Sequence, residues 1–162
     1  MFTPEFLEFV CCPTDHARLD WHDAALVCTH CGTIYPIHHG YAELLPRTME
    51  FNHTTRYVDD TAGAILNHRD IATPLLSAKV KNDLLNDFIH FTRTDIALDL
   101  GCGNGKFAYW NRHRVRTMLA IDLAPWFADK ARKELPLIRG DIRVLPFNDV
   151  IFDAIFSIDV LE

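Results

Sequence analysis

Three glycines alternate in the segment Leu98-Asp-Leu-Gly-Cys-Gly-Asn-Gly105, which lies between a predicted strand and a predicted helix. Glycine lets the backbone turn tightly at these positions and lets a ligand approach it closely. The segment departs from the dinucleotide-binding fingerprint G-x-G-x-x-G, because Lys106 stands where the third glycine belongs. The glycines therefore predict a strand–turn–helix unit with a ligand at the turn, and a plain tight turn is the alternative interpretation.

Helical and strand patterns alternate from Thr73 onward, which predicts right-handed βαβ units and a parallel sheet. The predicted strands lie at 96–100, 118–122, 137–138 and 153–158, and the later helices at 104–113 and 125–135. The first helix begins at Thr73-Pro74, where Thr73 caps it and Pro74 suits its first turn. Its apolar residues recur every four positions, with Leu85 and Ile89 beside them, and predict a face that covers the sheet: Leu76, Val80, Leu84 and Phe88.

Two aspartates near the glycines indicate what kind of ligand is bound. Asp99 stands two residues before Gly101, where a carboxylate repels a pyrophosphate but suits an ammonium or sulfonium group, such as that of S-adenosylmethionine (SAM). Asp122 ends the next predicted strand, where a carboxylate can accept hydrogen bonds from both hydroxyls of a ribose. A helix-capping Asp before Pro125 is the alternative for Asp122.

A third element follows the third predicted strand, at Gly140-Asp141-Ile142. Asp141 can accept a hydrogen bond from an adenine amino group, and Ile142 offers the ring an apolar contact. Taken alone, Gly-Asp is also an ordinary turn.

These motifs, together with Leu145-Pro-Phe147, Phe152–Ser157 and Asp159–Glu162, resemble the class I SAM-dependent methyltransferase family over about residues 73–162. The resemblance implies a Rossmann-like parallel sheet with SAM across the carboxyl ends of the first strands. It implies that Leu123 lies near the adenine and that Ser157 lies near the transferable methyl group. It also implies a loop backbone against the methionine and ribose, at Gly101, Cys102, Gly103 and Gly105. The Cys102 side chain is either a reactive thiol or a small packed residue.

Four of the five cysteines lie close together near the N-terminus, and without an export signal such clusters favour a metal over disulfides. Cys28-x-x-Cys31 is a zinc knuckle, and Cys12 begins a less regular partner half. The pattern predicts one zinc bound by Cys12, Cys28 and Cys31, with Asp15 or His16 as the fourth ligand and Cys11 outside the site. The alternative is a metal-free ribbon with an apolar core of Phe6, Leu7, Leu19, Trp21 and Tyr35.

This segment, with Tyr35-Pro-Ile37, Gly40 and Leu44-Leu-Pro46, resembles the zinc-ribbon domain of the small activator protein of tRNA and protein methyltransferases. The chain is therefore predicted to be α/β, with an apparently truncated Rossmann-like sheet and a small N-terminal zinc-ribbon-like β module. The predicted boundaries are a module at 1–46, a linker with a short helix at 47–72, and the N-terminal part of a SAM-binding methyltransferase domain at 73–162.

Charge and hydropathy limit which classes of partner the chain is expected to bind. The formal net charge is −6, which argues against nucleic-acid binding by bulk charge alone. The basic run Arg112–Arg116 suits either a phosphate contact or a solvated helix end. No apolar run is long enough to cross a bilayer, and the N-terminus lacks signal-peptide features, so a cytoplasmic protein without membrane contact is expected.

The sequence thus predicts transfer of the SAM methyl group to an unidentified acceptor: a small molecule, an RNA or a protein. It identifies no catalytic base. The alternative is a non-catalytic SAM-binding or partner-binding protein, or an inactive fragment, because four strands are predicted where the family has seven. The fourth strand would then leave an apolar edge beside Ile155 and Phe156, through which the chain is expected to self-associate.

Overall fold

The computed structural model describes residues 2–47, 71 and 75–160, and eight strands in these residues form a single sheet. The order across the sheet is β1-β2-β3-β4-β7-β6-β5-β8. The strands are β1 (Leu19–His22), β2 (Ala25–Cys28), β3 (Ile34–His38), β4 (Tyr41–Leu44), β5 (Ile96–Leu100), β6 (Thr117–Asp122), β7 (Leu137–Gly140) and β8 (Ala154–Phe156). The α-helices described are α1 (Leu76–Phe88), α2 (Lys106–Asn111) and α3 (Asp129–Glu134), and 3-10 turns cover Pro4–Glu8 and Arg112–Arg114.

The first four strands form an antiparallel meander, as the predicted β module requires. Leu26 pairs with Tyr35 and Val27 with Ile34, so β2 and β3 form the hairpin that carries the Cys28–Cys31 turn. Leu19, Leu26 and Tyr35 are buried and belong to one apolar core that extends into the parallel half of the sheet.

The other four strands run parallel, and each falls where the sequence pattern predicts a strand. Leu98, Leu119 and Ile138 are completely buried, as expected for parallel strands covered on both faces. The mixed α/β sheet with Rossmann-like parallel strands is therefore confirmed. The helices are shorter than predicted, since α2 ends at Asn111 and α3 begins only at Asp129.

The two halves meet along β4 and β7, which pair in parallel from Tyr41↔Leu137 to Leu44↔Gly140. We call this contact the seam. The N-terminal module therefore extends the same sheet at its edge. Most of the predicted linker lies outside the described residues, and the predicted domain boundaries stay a prediction.

Helix α1 corrects one expectation. Thr73 and Pro74 lie outside the described residues, and the helix begins at Leu76. The stripe predicted to cover the sheet is exposed instead: Leu76, Val80, Leu84 and Phe88 are 78%, 51%, 50% and 83% exposed. Leu85, which the sequence places beside that stripe, is buried together with Ala78, and both lie about a third of a turn from the centre of the stripe. The side of α1 that meets the core is therefore the one that carries Ala78 and Leu85.

Strand β8 is the last strand of the described sheet and pairs on one side with β5. Ile155 is 52% exposed there, as expected, but Phe156 is buried and its ring contacts Phe91. In the described sheet the outer edge of β8 has no strand beside it, and the side chains of Ile155 and Phe156 differ in burial because alternate strand residues point to opposite faces. None of the described helices has the length and apolar character to cross a membrane.

Candidate cofactor and metal sites

The glycine loop, which we define as residues 101–105, follows β5 directly and turns the chain into α2. Gly101, Gly103 and Gly105 all have positive φ, at 77°, 56° and 83°, a region that side chains disfavour. The amides of Gly101 and Cys102 both donate to the Ile121 carbonyl, at 2.9 and 3.0 Å, which fixes the start of the loop against β6. No atom lies within 4 Å of where a Gly103 Cβ would stand, so the loop leaves open space at that glycine.

Asp122 lies at the end of β6 and reaches across to this loop. One carboxylate oxygen accepts the Gly103 amide at 2.7 Å, and the other accepts the Ala124 amide at 2.9 Å. Burial raises the pKa of this carboxyl, while the backbone amides oppose that shift. Because α3 begins only at Asp129, Asp122 does not cap that helix. The alternative of a helix cap is therefore wrong, and the predicted ribose residue lies against the glycine loop.

Asp99 lies in β5 and is only 1% exposed. Its Oδ2 accepts the amide of Ala108, in the first turn of α2, at 3.1 Å. Burial raises the pKa of this carboxyl to about 7, although the Ala108 amide opposes the shift. The structure thus gives Asp99 a helix-anchoring contact that the sequence did not indicate, and its contact with a cationic ligand stays a prediction.

Asp141 follows the end of β7 and is 4% exposed. It accepts the Arg143 amide at 2.8 Å and pairs with the Arg143 guanidinium at 2.6 Å. Burial raises the pKa of Asp141, but the hydrogen bonds from Arg143 outweigh burial and hold that pKa below its usual value. The sequence did not indicate Arg143, and Ile142 beside it is half-buried.

The remaining predicted contacts lie around the same edge of the sheet. The Ser157 hydroxyl donates to the Leu100 carbonyl at 2.8 Å, and the Leu123 carbonyl accepts from Arg139 at 3.1 Å. Cys102 is buried, and burial raises the pKa of its thiol well above the usual value, which favours a packed residue over a reactive thiol. The predicted cofactor residues therefore lie at the carboxyl ends of neighbouring parallel strands, where open α/β sheets bind ligands.

The ligand atoms of Cys12, Asp15, Cys28 and Cys31, which we call the cysteine cluster, all lie within 4.8 Å of one another. The sulfurs of Cys12 and Cys31 are 3.7 Å apart, and the Cys28 sulfur lies 3.4 Å from an Asp15 oxygen. Tetrahedral zinc with Zn–S of about 2.3 Å and Zn–O of about 2.1 Å requires separations of about 3.8 and 3.6 Å. These residues therefore fit a zinc ion.

Asp15 rather than His16 completes this cluster. His16 has a positive φ of 57°, and its Nδ1 lies 3.5 Å from the Cys11 sulfur. Cys11 donates to the Phe147 carbonyl at 3.2 Å, and it lies outside the cluster as predicted.

Several contacts that the sequence did not indicate hold the cluster in place. His30 Nδ1 lies 2.9 Å from Asp15 Oδ2. Hydrogen bonds from the side chains of Cys12 and His30 hold the pKa of Asp15 below its usual range. The Tyr35 hydroxyl lies 3.1 Å from the Cys12 sulfur, and the Thr33 hydroxyl lies 3.1 Å from the Cys31 sulfur. Partners of this kind orient metal ligands in proteins.

Residues 98–162 match the family described as "Methyltransferase domain", and residues 3–40 match the family described as "Trm112p-like protein". The chain joins a Trm112p-like segment to a methyltransferase-domain segment. Both resemblances named from the sequence motifs are thereby confirmed.

Two curated relatives match part of the chain. A putative methyltransferase of Encephalitozoon cuniculi is 36% identical over 75 residues, which cover 45% of this chain and 33% of the relative. The malonyl-[acyl-carrier protein] O-methyltransferase of Serratia marcescens is 38% identical over 68 residues, which cover 40% of this chain and 27% of the relative. The matched segments therefore span a third or less of each relative.

Proposed function

We propose that this chain binds SAM at the carboxyl ends of β5, β6 and β7, and that the protein containing it transfers the SAM methyl group to an acceptor. The observation that carries the proposal is the bond from the Gly103 amide to Asp122, at 2.7 Å, inside a loop of positive-φ glycines. This bond holds the Asp122 carboxylate directly beside a backbone turn that has space for a ligand, which supports a ribose at this position. A methyltransferase-domain match over residues 98–162 supports the same conclusion.

SAM supplies an electrophilic methyl group when it is bound. The residues of this chain bind and orient it: Asp122 accepts hydrogen bonds from the ribose, Leu123 and Ile142 contact the adenine, and Asp141 binds the edge of the ring. Ser157, anchored to the Leu100 carbonyl, lies nearest the methyl group. Alignment of two reactants in a water-poor cleft accounts for much of the rate of such a transfer, so the proposal requires no strong acid or base.

We propose that the cysteine cluster binds one zinc ion with a structural role. Four protein ligands close a tetrahedral site and leave no position for a substrate, which is typical of structural rather than catalytic zinc. Cys12 and Cys28 are buried, so the metal would lie against the core of the N-terminal module.

The acceptor belongs to one of three classes: a small molecule, an RNA or a protein. The Serratia marcescens relative is named as a malonyl-[acyl-carrier protein] O-methyltransferase, so we include a malonyl group carried by a protein among the acceptors to be tested. Turnover assays with each class distinguish them.

A second candidate function is a non-catalytic SAM-binding or partner-binding protein. The exposed apolar stripe of α1 and the exposed Ile155 on β8 favour it, because such surfaces are usually covered in a working domain. Under this second candidate function the chain would self-associate through the edge of β8, since an unpaired strand edge can pair with another copy.

Calorimetry with S-adenosylhomocysteine on the Asp122→Ala variant tests cofactor binding. Loss of a charged acceptor for two hydroxyls is expected to weaken binding by about 2–3 kcal/mol. Asp87→Asn, an exposed carboxyl on α1, is the matched control and is expected to bind as the wild type does. An unchanged affinity in Asp122→Ala, or a preference of the wild type for NAD, would contradict the proposal.

A further inference from the structure

The loop between Asp122 and α3 exposes three backbone carbonyls to two arginines that also contact the N-terminal module. We define this loop as residues 123–127. It begins next to the predicted ribose residue, and it ends where the Ala128 amide donates to the Asn104 carbonyl of the glycine loop at 3.0 Å. The loop therefore forms one wall of the proposed cofactor site.

Arg139 joins this loop to β4. Its Nε donates to the Leu123 carbonyl at 3.1 Å, and its Nη1 donates to Glu43 Oε2 at 2.8 Å. The side chains of Arg139 and Glu43 are only 18% and 25% exposed, so water screens their contact less than it would screen a surface pair. A guanidinium can serve both acceptors at once because its donors form a rigid planar fork.

Arg132 makes a second, parallel connection. Its guanidinium donates to the carbonyls of Phe127 and Pro125, at 2.9 and 3.0 Å, and to the His39 carbonyl of the module at 3.4 Å. The same group lies over the Tyr41 ring, 5.1 Å from its centre, and that ring packs edge-on against Phe127 at 5.2 Å. Every carbonyl of the loop that an arginine binds is thus linked to a residue of the module.

We infer that Glu43 is a positioning residue for the cofactor loop: through Arg139 it sets the conformation of residues 123–127, so the N-terminal module helps to shape the SAM site. The inference rests on the proposed function for its cofactor part. Glu43 touches no predicted cofactor contact itself, and it acts through the carbonyl that Arg139 holds. The N-terminal module would then contribute to cofactor affinity even though its own metal cluster lies elsewhere in the sheet.

The test compares Glu43→Gln and Arg139→Lys with Asp20→Asn in the full chain. Glu43→Gln keeps the size of the side chain and removes its charge. Arg139→Lys keeps the positive charge, but a single ammonium nitrogen replaces the fork that serves Glu43 and Leu123 together. Asp20, on β1, forms an ion pair with Arg18 at 3.3 Å. Asp20→Asn is therefore the control for loss of an ion pair in the same module.

Two readouts separate positioning from general stability. Calorimetry with S-adenosylhomocysteine is expected to show affinity about fivefold or more weaker in both variants and unchanged in Asp20→Asn. Hydrogen exchange followed by NMR, without ligand, is expected to be faster at the amides of Ala124 and Ala128, with that of Leu98 in β5 unchanged. A merely structural role would raise exchange at all three amides.

The outcomes are distinguishable. Wild-type affinity in both variants would overturn the inference, as would equal exchange at Ala124 and Ala128 in variants and wild type. If the wild type itself bound no S-adenosylhomocysteine, the proposed function would fail first, and the exchange data alone would decide whether Glu43 positions the loop. If Glu43→Gln did not fold, the milder Arg139→Lys would carry both readouts.

Discussion

The cysteine cluster and the glycine loop both lie at turns of the chain, but different atoms build them. The cysteine cluster consists of side chains: three sulfurs and a carboxylate converge within 4.8 Å. The glycine loop consists of backbone, with three residues at positive φ and amides that bind the Ile121 carbonyl and Asp122. A side-chain site is therefore sensitive to the removal of an atom, and a backbone site is sensitive to the addition of one.

Two glycines of the N-terminal module show how the effect of an added atom depends on the space around it. Gly40, beside β4, has φ of +88°, and a Cβ there would lie 2.6 Å from the Arg132 carbonyl oxygen. Gly32, next to Cys31 in the cysteine cluster, has φ of +68° but no atom within 4 Å of such a Cβ. The module thus contains one glycine required only by its backbone conformation and one required also by close packing against α3.

The largest effect is expected when one of the proposed zinc ligands is removed from the cysteine cluster. Cys28→Ser is expected to lower the zinc content of protein purified without chelator from about one per chain to near zero. Thermal unfolding followed by circular dichroism should then show a strongly destabilised module, since structural zinc contributes about 10 kcal/mol or more in small zinc domains. The measurement is metal analysis combined with this melting curve.

Cys11→Ser is the matched control for that prediction. Cys11 is adjacent to a ligand and buried, yet its sulfur bonds to Phe147 rather than to the cluster. The zinc content of the Cys11→Ser variant is expected to stay near one per chain. A folded wild type that holds no zinc would instead support the metal-free ribbon.

An effect of middle size is expected from adding a methyl group at Gly40, where the N-terminal module packs against α3. Gly40→Ala is expected to lower the free energy of unfolding by about 2–5 kcal/mol, from left-handed backbone strain plus overpacking against Arg132. Gly32→Ala, which meets open space, should lose only the strain, about 1–2 kcal/mol. Denaturant titration of both variants measures the difference. Equal losses would mean that the close contact between Gly40 and α3 does not constrain the fold.

The sequence predicted the elements that local pattern specifies. The spacing Cys28-x-x-Cys31 predicted two members of the cysteine cluster, and short apolar runs ending at glycine or aspartate predicted the four parallel strands. Spacing alone left His16 as an alternative to Asp15 for the fourth position of the cluster. The structure separates them through the backbone: His16 adopts a positive φ and turns towards Cys11.

Long-range pairing is what local pattern did not specify. Nothing in Tyr41–Leu44 indicates that this strand pairs with β7. Arg132 and Arg139 escaped notice because their contacts in the N-terminal module, the His39 carbonyl and the Glu43 carboxylate, are distant in the sequence. The core side of α1 was predicted only in part, because four-residue spacing does not show which side of an apolar face meets the sheet. Leu76 and Phe88 are exposed, whereas Leu85, beside them in the predicted face, is buried with Ala78.

The smallest expected effect, counted per unit of pH, concerns one of two carboxyl groups that lie in different halves of the chain. Hydrogen bonds from Cys12 and His30 hold the pKa of Asp15 below its usual range, whereas burial raises the pKa of Asp99 to about 7. An acid whose pKa is raised on folding binds a proton more tightly in the folded state than in the unfolded state. Between about pH 4 and pH 7, the Asp99 carboxyl therefore makes the protein less stable as the pH rises.

Asp99→Asn removes this dependence, because an amide does not titrate and its oxygen can still accept the Ala108 amide. The stability of the variant relative to the wild type is expected to increase with pH by up to about 1.4 kcal/mol per unit between pH 4 and pH 7. Asp122, whose pKa is also raised, is present in both proteins, so its contribution cancels in the difference. Denaturant titrations at pH 4.5, 5.5, 6.5 and 7.5 measure that difference, with Asp87→Asn on the exposed side of α1 as the control. A difference that stays constant with pH would mean that Asp99 is ionised in the folded protein throughout, and that a cation or water reaches it beneath the glycine loop.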